Sequence, residues 1–322
     1  MTPKLLPFQF FAYGYSFFLC CLLLSCTDSI KKDNTVPQVA SGKIERLVNF
    51  PSQFVDARNV DVWLPEDYNP QKKYAVLYMH DGQMLFDSTT TWNKQEWGVD
   101  ETLTKLRNEQ IIRPCIVVGV WNGDSTRHAD YFPQKPFEQL DASLQDSLLQ
   151  TGKRNNGTPL FVKPVQSDQY LKFLTQELKP FIDQKYASYS DRANTFVAGS
   201  SMGGLISMYA ICEYPEVFGG AACLSTHWIG TFSKENNPIP DAFADYLRQH
   251  LPDPATHKLY FDYGTETLDA LYEEAQLQVD TILRARYPAE QWITKKFVGA
   301  DHSERSWGKR LVIPFRFLLE KK

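Results

Sequence analysis

The sequence predicts an α/β fold: a mostly parallel central sheet with helices on both faces. Short runs rich in β-branched and aromatic residues are bounded by turn residues, helix-period patterns lie between them, and 322 residues allow one large domain with a substantial core. Strands alternating with helices need cover on both faces of the sheet. In chain order, "VDVWL" (residues 60–64) alternates as a half-buried strand does. "YAVLYMH" (74–80), "CIVVGV" (115–120), "TFVAG" (195–199), "AACLS" (221–225), "KLYFDYG" (258–264) and "WITKKF" (292–297) read as further strands. Ser167 can cap a helix whose Tyr170, Leu171, Leu174, Leu178, Phe181 and Ile182 share one face. A second helix follows "SSMGG" and stops at Tyr214-Pro215, and a third runs from near Leu268 to Arg286. Residues 121–166 break the alternation, and a long irregular segment in a compact domain is usually functional or mobile, so a lid or binding loop above one edge of the sheet is expected there.

With 34 Lys+Arg against 38 Asp+Glu, the formal charge of −4 offers no basic excess for nucleic-acid binding by counterion release. The N-terminus follows a different logic. Lys4 precedes an apolar run to Leu24 and then Ser25, the pattern of an export signal. "LLSC" (23–26) resembles the lipobox of bacterial lipoproteins, which implies that Cys26 becomes a lipidated first residue; an uncleaved membrane anchor is the alternative. The expected organisation is a lipoprotein signal peptide over residues 1–25, a flexible tether over 26–45 and a catalytic domain over 46–322, held in the cell envelope (periplasm or outer membrane) by its lipid. Cys115, Cys212 and Cys223 sit in apolar contexts and read as buried small hydrophobes, not a disulfide framework.

The chemistry centres on "VAGSSMGGL" (197–205), where Gly199-Ser200-Ser201-Met202-Gly203 fits G-x-S-x-G between an apolar strand and a helix. Spacing selects Ser201, not Ser200, as the nucleophile of a strand-to-helix elbow. The N–H of Met202, at the start of the following helix, is one expected oxyanion donor. A serine needs a base. His302 in "VGADHSERSW", past the last strand, fits that role; His250 and His257 read as surface residues, and His227 comes too early in the order though it could line the pocket. The acid lies in "GTETLDALY", where Glu266 and Asp269 both qualify, with Asp269 preferred because a short carboxylate is more easily fixed against an imidazole. The turn at His80-Asp81-Gly82 aims the Gln83 N–H inward as the second oxyanion donor. His80 and Asp81 have no companions at ligand spacing, so no metal and no cofactor are expected.

"HDGQMLFD", "WGVDETL", "GSSMGG", "FDYGTETLD" and "DHSERSW" make the chain from about residue 54 onward resemble the putative-esterase family of α/β-hydrolases, which includes esterase D, feruloyl and acetylxylan esterases, enterochelin-type siderophore esterases and mycolyltransferases. The resemblance implies an α/β-hydrolase fold, Ser201 as nucleophile, His302 as base, and Gln83 and Met202 as the oxyanion hole. It leaves the acid open, because the family's usual glycine-to-acid spacing falls on Thr267. "NGDSTRHADYFP" is similar to the family's pocket loop, which makes Arg127 and Tyr131 expected substrate contacts; Trp97 and Trp228 fit either the pocket wall or the core. The expected function is hydrolysis of carboxylic esters through an acyl-enzyme, on polysaccharide-linked or siderophore-type esters. A non-catalytic envelope binding protein on the same fold and an acyltransferase to a sugar acceptor are the alternatives.

Overall fold

The computed structural model describes residues 1–4 and 35–321. Residues 1–34 and 35–322 form separate units. Of the first, only Met1–Lys4 are described, exposed and without regular structure; the rest of the expected signal and Cys26 lie outside the described residues. Among the described residues, every strand and helix belongs to the second unit, and no helix is long and apolar enough to cross a membrane.

Eight strands are described: β1 (Lys43–Phe50), β2 (Arg58–Leu64), β3 (Ala75–His80), β4 (Cys115–Val120), β5 (Thr195–Ser200), β6 (Gly220–Leu224), β7 (Lys258–Gly264) and β8 (Trp292–Phe297). They form one sheet in the order β1-β2-β4-β3-β5-β6-β7-β8, and only the β1–β2 and β2–β4 pairs are antiparallel. The sheet matches the predicted mostly parallel one. β2 to β6 are buried along their whole length, which is why β3 to β6 read as near-continuous apolar runs; β2, whose alternation predicted a half-buried strand, is fully buried because Arg46 pairs its Asp61. Alternate residues of β3 serve opposite faces: Val76 and Tyr78 pack under the helix Met202–Glu213, and Ala75, Leu77 and Met79 pack toward the helices Val99–Asn108 and Val312–Leu319.

β1 is the strand the pattern did not reveal. As an edge strand it is half exposed and mixes Lys43, Glu45 and Arg46 with its apolar residues, a composition that blunts edge pairing. It is fixed by Arg46, whose guanidinium donates twice to Asp61 (2.7 and 2.8 Å). The backbone N–H groups of Gln38 and Ala40 donate to Asp87 and Asp100 (2.9 and 2.7 Å), so ordered packing begins well before residue 46.

The segment 121–166 is more regular than expected. It carries short helices at Arg127–Tyr131, Gln134–Glu138 and Ala142–Gln150, and it buries Phe132, Phe137, Leu148 and Phe161. Ser167 opens the next helix but does not cap it: its Oγ accepts the Gln134 N–H at 2.9 Å, tying that segment down.

Candidate active site

β5 ends at Ser200 and the helix Met202–Glu213 starts at Met202, leaving Ser201 alone in the turn at φ 57°, ψ −122°. A non-glycine residue there is strained by roughly 1–3 kcal/mol and persists only when its surroundings fix it. Here they do. The Ser201 N–H donates to Leu224 O (2.9 Å), and its carbonyl accepts from Gly204, Leu205 and His227 N–H (3.0, 3.1 and 3.2 Å). A Cβ on Gly199 would stand 2.6 Å from the Gly203 carbonyl oxygen, so the elbow closes only with glycine. Met202 is the first helical residue, and its N–H has no acceptor within the helix.

His302 follows β8 and turns toward Asp269, its Nδ1 2.5 Å from Oδ1. Asp269 is fully buried on the turn Thr267–Leu271 after β7, whereas Glu266, three residues earlier, is exposed. The choice between the two is made by backbone: Thr267 takes φ 54°, displacing the carboxylate two residues beyond the spacing the resemblance implied. Thr267 Oγ1 also accepts the His302 N–H (2.9 Å), so His302 is held through both its backbone and its ring. The second Asp269 oxygen accepts from Ser225 Oγ and Gly264 N–H, both at 2.5 Å. Burial pushes the Asp269 carboxyl up, but the hydrogen bonds from His302, Ser225 and Gly264, together with the nearby imidazole, hold it below the usual carboxylate range. Behind it, Ser225 Oγ accepts from Trp307 Nε1 (2.9 Å) and Arg310 Nη2 (2.7 Å), and Arg310 also pairs with Asp262 (2.8 Å).

Ser201 and His302 line two cavities, of about 590 and about 450 Å³. Gln83 belongs to the larger one, on a short turn that follows β3. A Cβ on Gly82 would meet the Gly119 backbone at 2.4 Å, so Gly82 lets this turn lie against β4.

Arg127, Tyr131 and Trp228 are candidates for the pocket wall. Arg127 does line both cavities, but its fork is occupied: Nε and Nη2 donate to Asp81 at 2.6 and 2.7 Å. Burial opposes both charges, and each partner outweighs it, lowering the Asp81 carboxyl and raising Arg127. Asn122 Nδ2 adds a third bond to Asp81 (2.7 Å). Tyr131 is fully buried behind this pair, packed on His80 and Tyr170. Trp228 is a core residue, its Nε1 donating to Gln276 (2.8 Å) and its ring against Phe261. Trp97 lines the larger cavity and packs on Trp307. An aromatic or cation between two elements gives no local sign in the sequence of which side it faces.

His257 is also corrected, being buried between the carbonyls of Pro215 and Asp253 (2.8 and 3.0 Å). His250 is half-buried and stacks on Tyr246. Cys115, Cys212 and Cys223 are buried free thiols.

Two residues escaped the sequence reading as partners. His227 lines the smaller cavity with Nδ1 2.6 Å from Tyr272 Oη, and the Tyr272 hydroxyl faces Ser201. Burial holds His227 well below the ordinary imidazole range, so it is neutral. The 45 positions between them leave no spacing signal.

The fold is shared with known enzymes. A Shigella flexneri enterochelin esterase superposes with a TM-score of 0.61 at 18% identity, covering 88% of this chain and 60% of its own. The ferulic acid esterase of the anaerobic fungus Anaeromyces mucronatus does so with a TM-score of 0.59 at 19% identity, covering 91% and 96%. In sequence, the Bacillus subtilis protein YjcH is 24% identical over 179 residues, 56% of this chain, and the match spans 60% of YjcH. The chain belongs to the family described as "Putative esterase", whose model matches residues 52–318.

Proposed function

We propose that this protein is a serine hydrolase of carboxylic esters. The observation that carries the reading is the strained Ser201 at the mouth of two cavities beside a His302 imidazole fixed by the buried Asp269. Ser201 Oγ attacks the ester carbonyl while His302 Nε2 takes its proton; Asp269 holds Nδ1–H and stabilises the imidazolium that forms. The N–H groups of Met202 and Gln83 receive the oxyanion as it develops. Collapse expels the alcohol, protonated by His302, and leaves an acyl-serine. Water then attacks with His302 as base and releases the acid.

Two cavities meeting at one serine suit the two halves of an ester. Trp92, 82% exposed at the mouth of both, offers an indole face to a sugar or aryl ring. That favours polysaccharide-linked acyl esters or siderophore-type esters; the two structural neighbours are named as a ferulic acid esterase and an enterochelin esterase. Attachment to the envelope through Cys26 completes the reading.

The test is hydrolysis of p-nitrophenyl acetate. Ser201→Ala is expected to lose at least ~10³-fold and Asp269→Asn about 10⁴-fold, with Ser200→Ala and Glu266→Gln keeping most activity. Full activity in Ser201→Ala would overturn the reading.

A further inference from the structure

The smaller cavity carries a charge that nothing in its own wall balances. Among the described residues lining it there is no Asp or Glu; of its three histidines, His128 and His227 are fully buried, His128 held down at about 3 by that burial, and His302 is held by Asp269. Of its two arginines, Arg127 is neutralised by Asp81. Arg154 is not: among the described residues no carboxylate lies within ion-pair distance of it, its Nε is buried without a hydrogen-bond partner, and its Nη2 has only a long contact to the Ser125 carbonyl (3.5 Å). Arg154 is half-buried, and a partly desolvated cation without a carboxylate partner favours an incoming anion.

Its backbone is not a drifting loop. The Arg154 N–H donates to Thr158 O, its carbonyl accepts the Gly157 N–H (both 2.9 Å), and the Asn156 side chain accepts from Thr158 Oγ1 (2.7 Å), closing a tight turn at the cavity rim. The turn holds a guanidinium over the space that Ser201 and His302 share, beside Asn155 and the apolar side chains of Phe232 and Leu268.

We propose that this cavity selects esters carrying a carboxylate, which Arg154 binds through its planar fork. The inference rests on the esterase reading and names its substrate class. One uncompensated positive charge matches one monoanion, and a guanidinium fork matches a planar carboxylate. About 450 Å³ holds an aryl or short aliphatic body between the carboxylate and the scissile carbonyl. Arg127, which the resemblance implied as a substrate contact, has its fork taken by Asp81.

The test uses the full chain and two isosteric pairs: methyl 4-carboxycinnamate against its 4-carbamoyl analogue, which places the charge on the acyl half, and 4-acetoxybenzoate against 4-acetoxybenzamide, which places it on the alcohol half. For one pair, wild type is expected to prefer the carboxylate at least tenfold in kcat/KM. Arg154→Gln should bring that ratio to within about twofold of unity, and Arg154→Lys should restore part of it. No carboxylate preference in either pair, or a ratio that survives Arg154→Gln, would overturn the proposal. Titration of the Ser201→Ala protein with 4-carboxycinnamate separates the two readings. Arg154-dependent binding in a protein whose wild type hydrolyses none of the esters would sink the esterase reading and keep the site. Hydrolysis without carboxylate preference would do the reverse.

Discussion

Ser225→Ala removes one oxygen that three groups share. Its Oγ donates to Asp269 Oδ2 (2.5 Å) and accepts from Trp307 Nε1 (2.9 Å) and Arg310 Nη2 (2.7 Å), all in a buried setting. Arg310 keeps its bond to Asp262, so the cost falls on the other two. An orphaned buried indole N–H costs about 1–3 kcal/mol, and the loss of a hydrogen bond to a charged carboxylate about 1.5–3 kcal/mol. The variant is therefore expected to lose about 2.5–6 kcal/mol, less where a water fills the gap. Ser225 also sits at φ 40°, so Ser225→Gly, which loses the same bonds but accepts that backbone freely, should recover about 1 kcal/mol. Because Asp269 loses one of its three donors, His302 is held less firmly, and kcat/KM should fall roughly 10- to 100-fold. Urea unfolding followed by tryptophan fluorescence measures the first quantity and p-nitrophenyl acetate hydrolysis the second. A loss under about 0.5 kcal/mol with unaltered kcat/KM would refute the assignment of Ser225 as the support of the acid.

Arg127→Ala leaves the buried Asp81 carboxylate unpaired, so it should cost about 3–5 kcal/mol and reduce turnover of polar and simple esters alike; a loss confined to polar esters would return Arg127 to substrate binding. His80 and His128 are held at about 3 by burial and His227 well below its ordinary range, so the folded protein keeps them neutral while the unfolded chain protonates them near 6.5. The unfolded state then binds more protons, and stability falls as pH drops below about 6.5, by about 1.4 kcal/mol for each of the three at pH 5.5. Urea unfolding between pH 7 and 5 reads this, and His128→Gln should remove one proton from the slope; an unchanged slope would contradict it. Cys26→Ser is expected to abolish labelling by a palmitate analogue and release active soluble protein, whereas persistent labelling would exclude lipid attachment at Cys26.

Much of this was legible because buried strands are locally self-declaring. "CIVVGV" and "KLYFDYG" coincide with the buried strands β4 and β7, and "WITKKF" with β8, an edge strand that its aromatic and β-branched residues reveal despite Lys295 and Lys296. β1, the other edge strand, was not legible, because Lys43, Glu45 and Arg46 interrupt its apolar residues. The elbow declared itself through glycine spacing, because the Gly199–Gly203 approach is a steric requirement of the turn. Sequence preferred Asp269 over Glu266 only on side-chain length, because the left-handed backbone at Thr267 that accompanies its placement leaves no sign in the sequence. For Arg127, expected as a substrate contact, the partner was not legible: Asp81, 46 residues earlier, takes both ends of its fork. The Ser225–Trp307–Arg310 support and the His227–Tyr272 pair join residues that only the folded sheet brings together.

The central claim is that Ser201 is the nucleophile. Intact mass and peptide mapping after treatment with a fluorophosphonate test it directly. One adduct per chain on the peptide bearing Ser201 is expected, retained in Ser200→Ala and absent in Ser201→Ala. Labelling that persists in Ser201→Ala, or that maps to another residue in the wild type, would contradict the account.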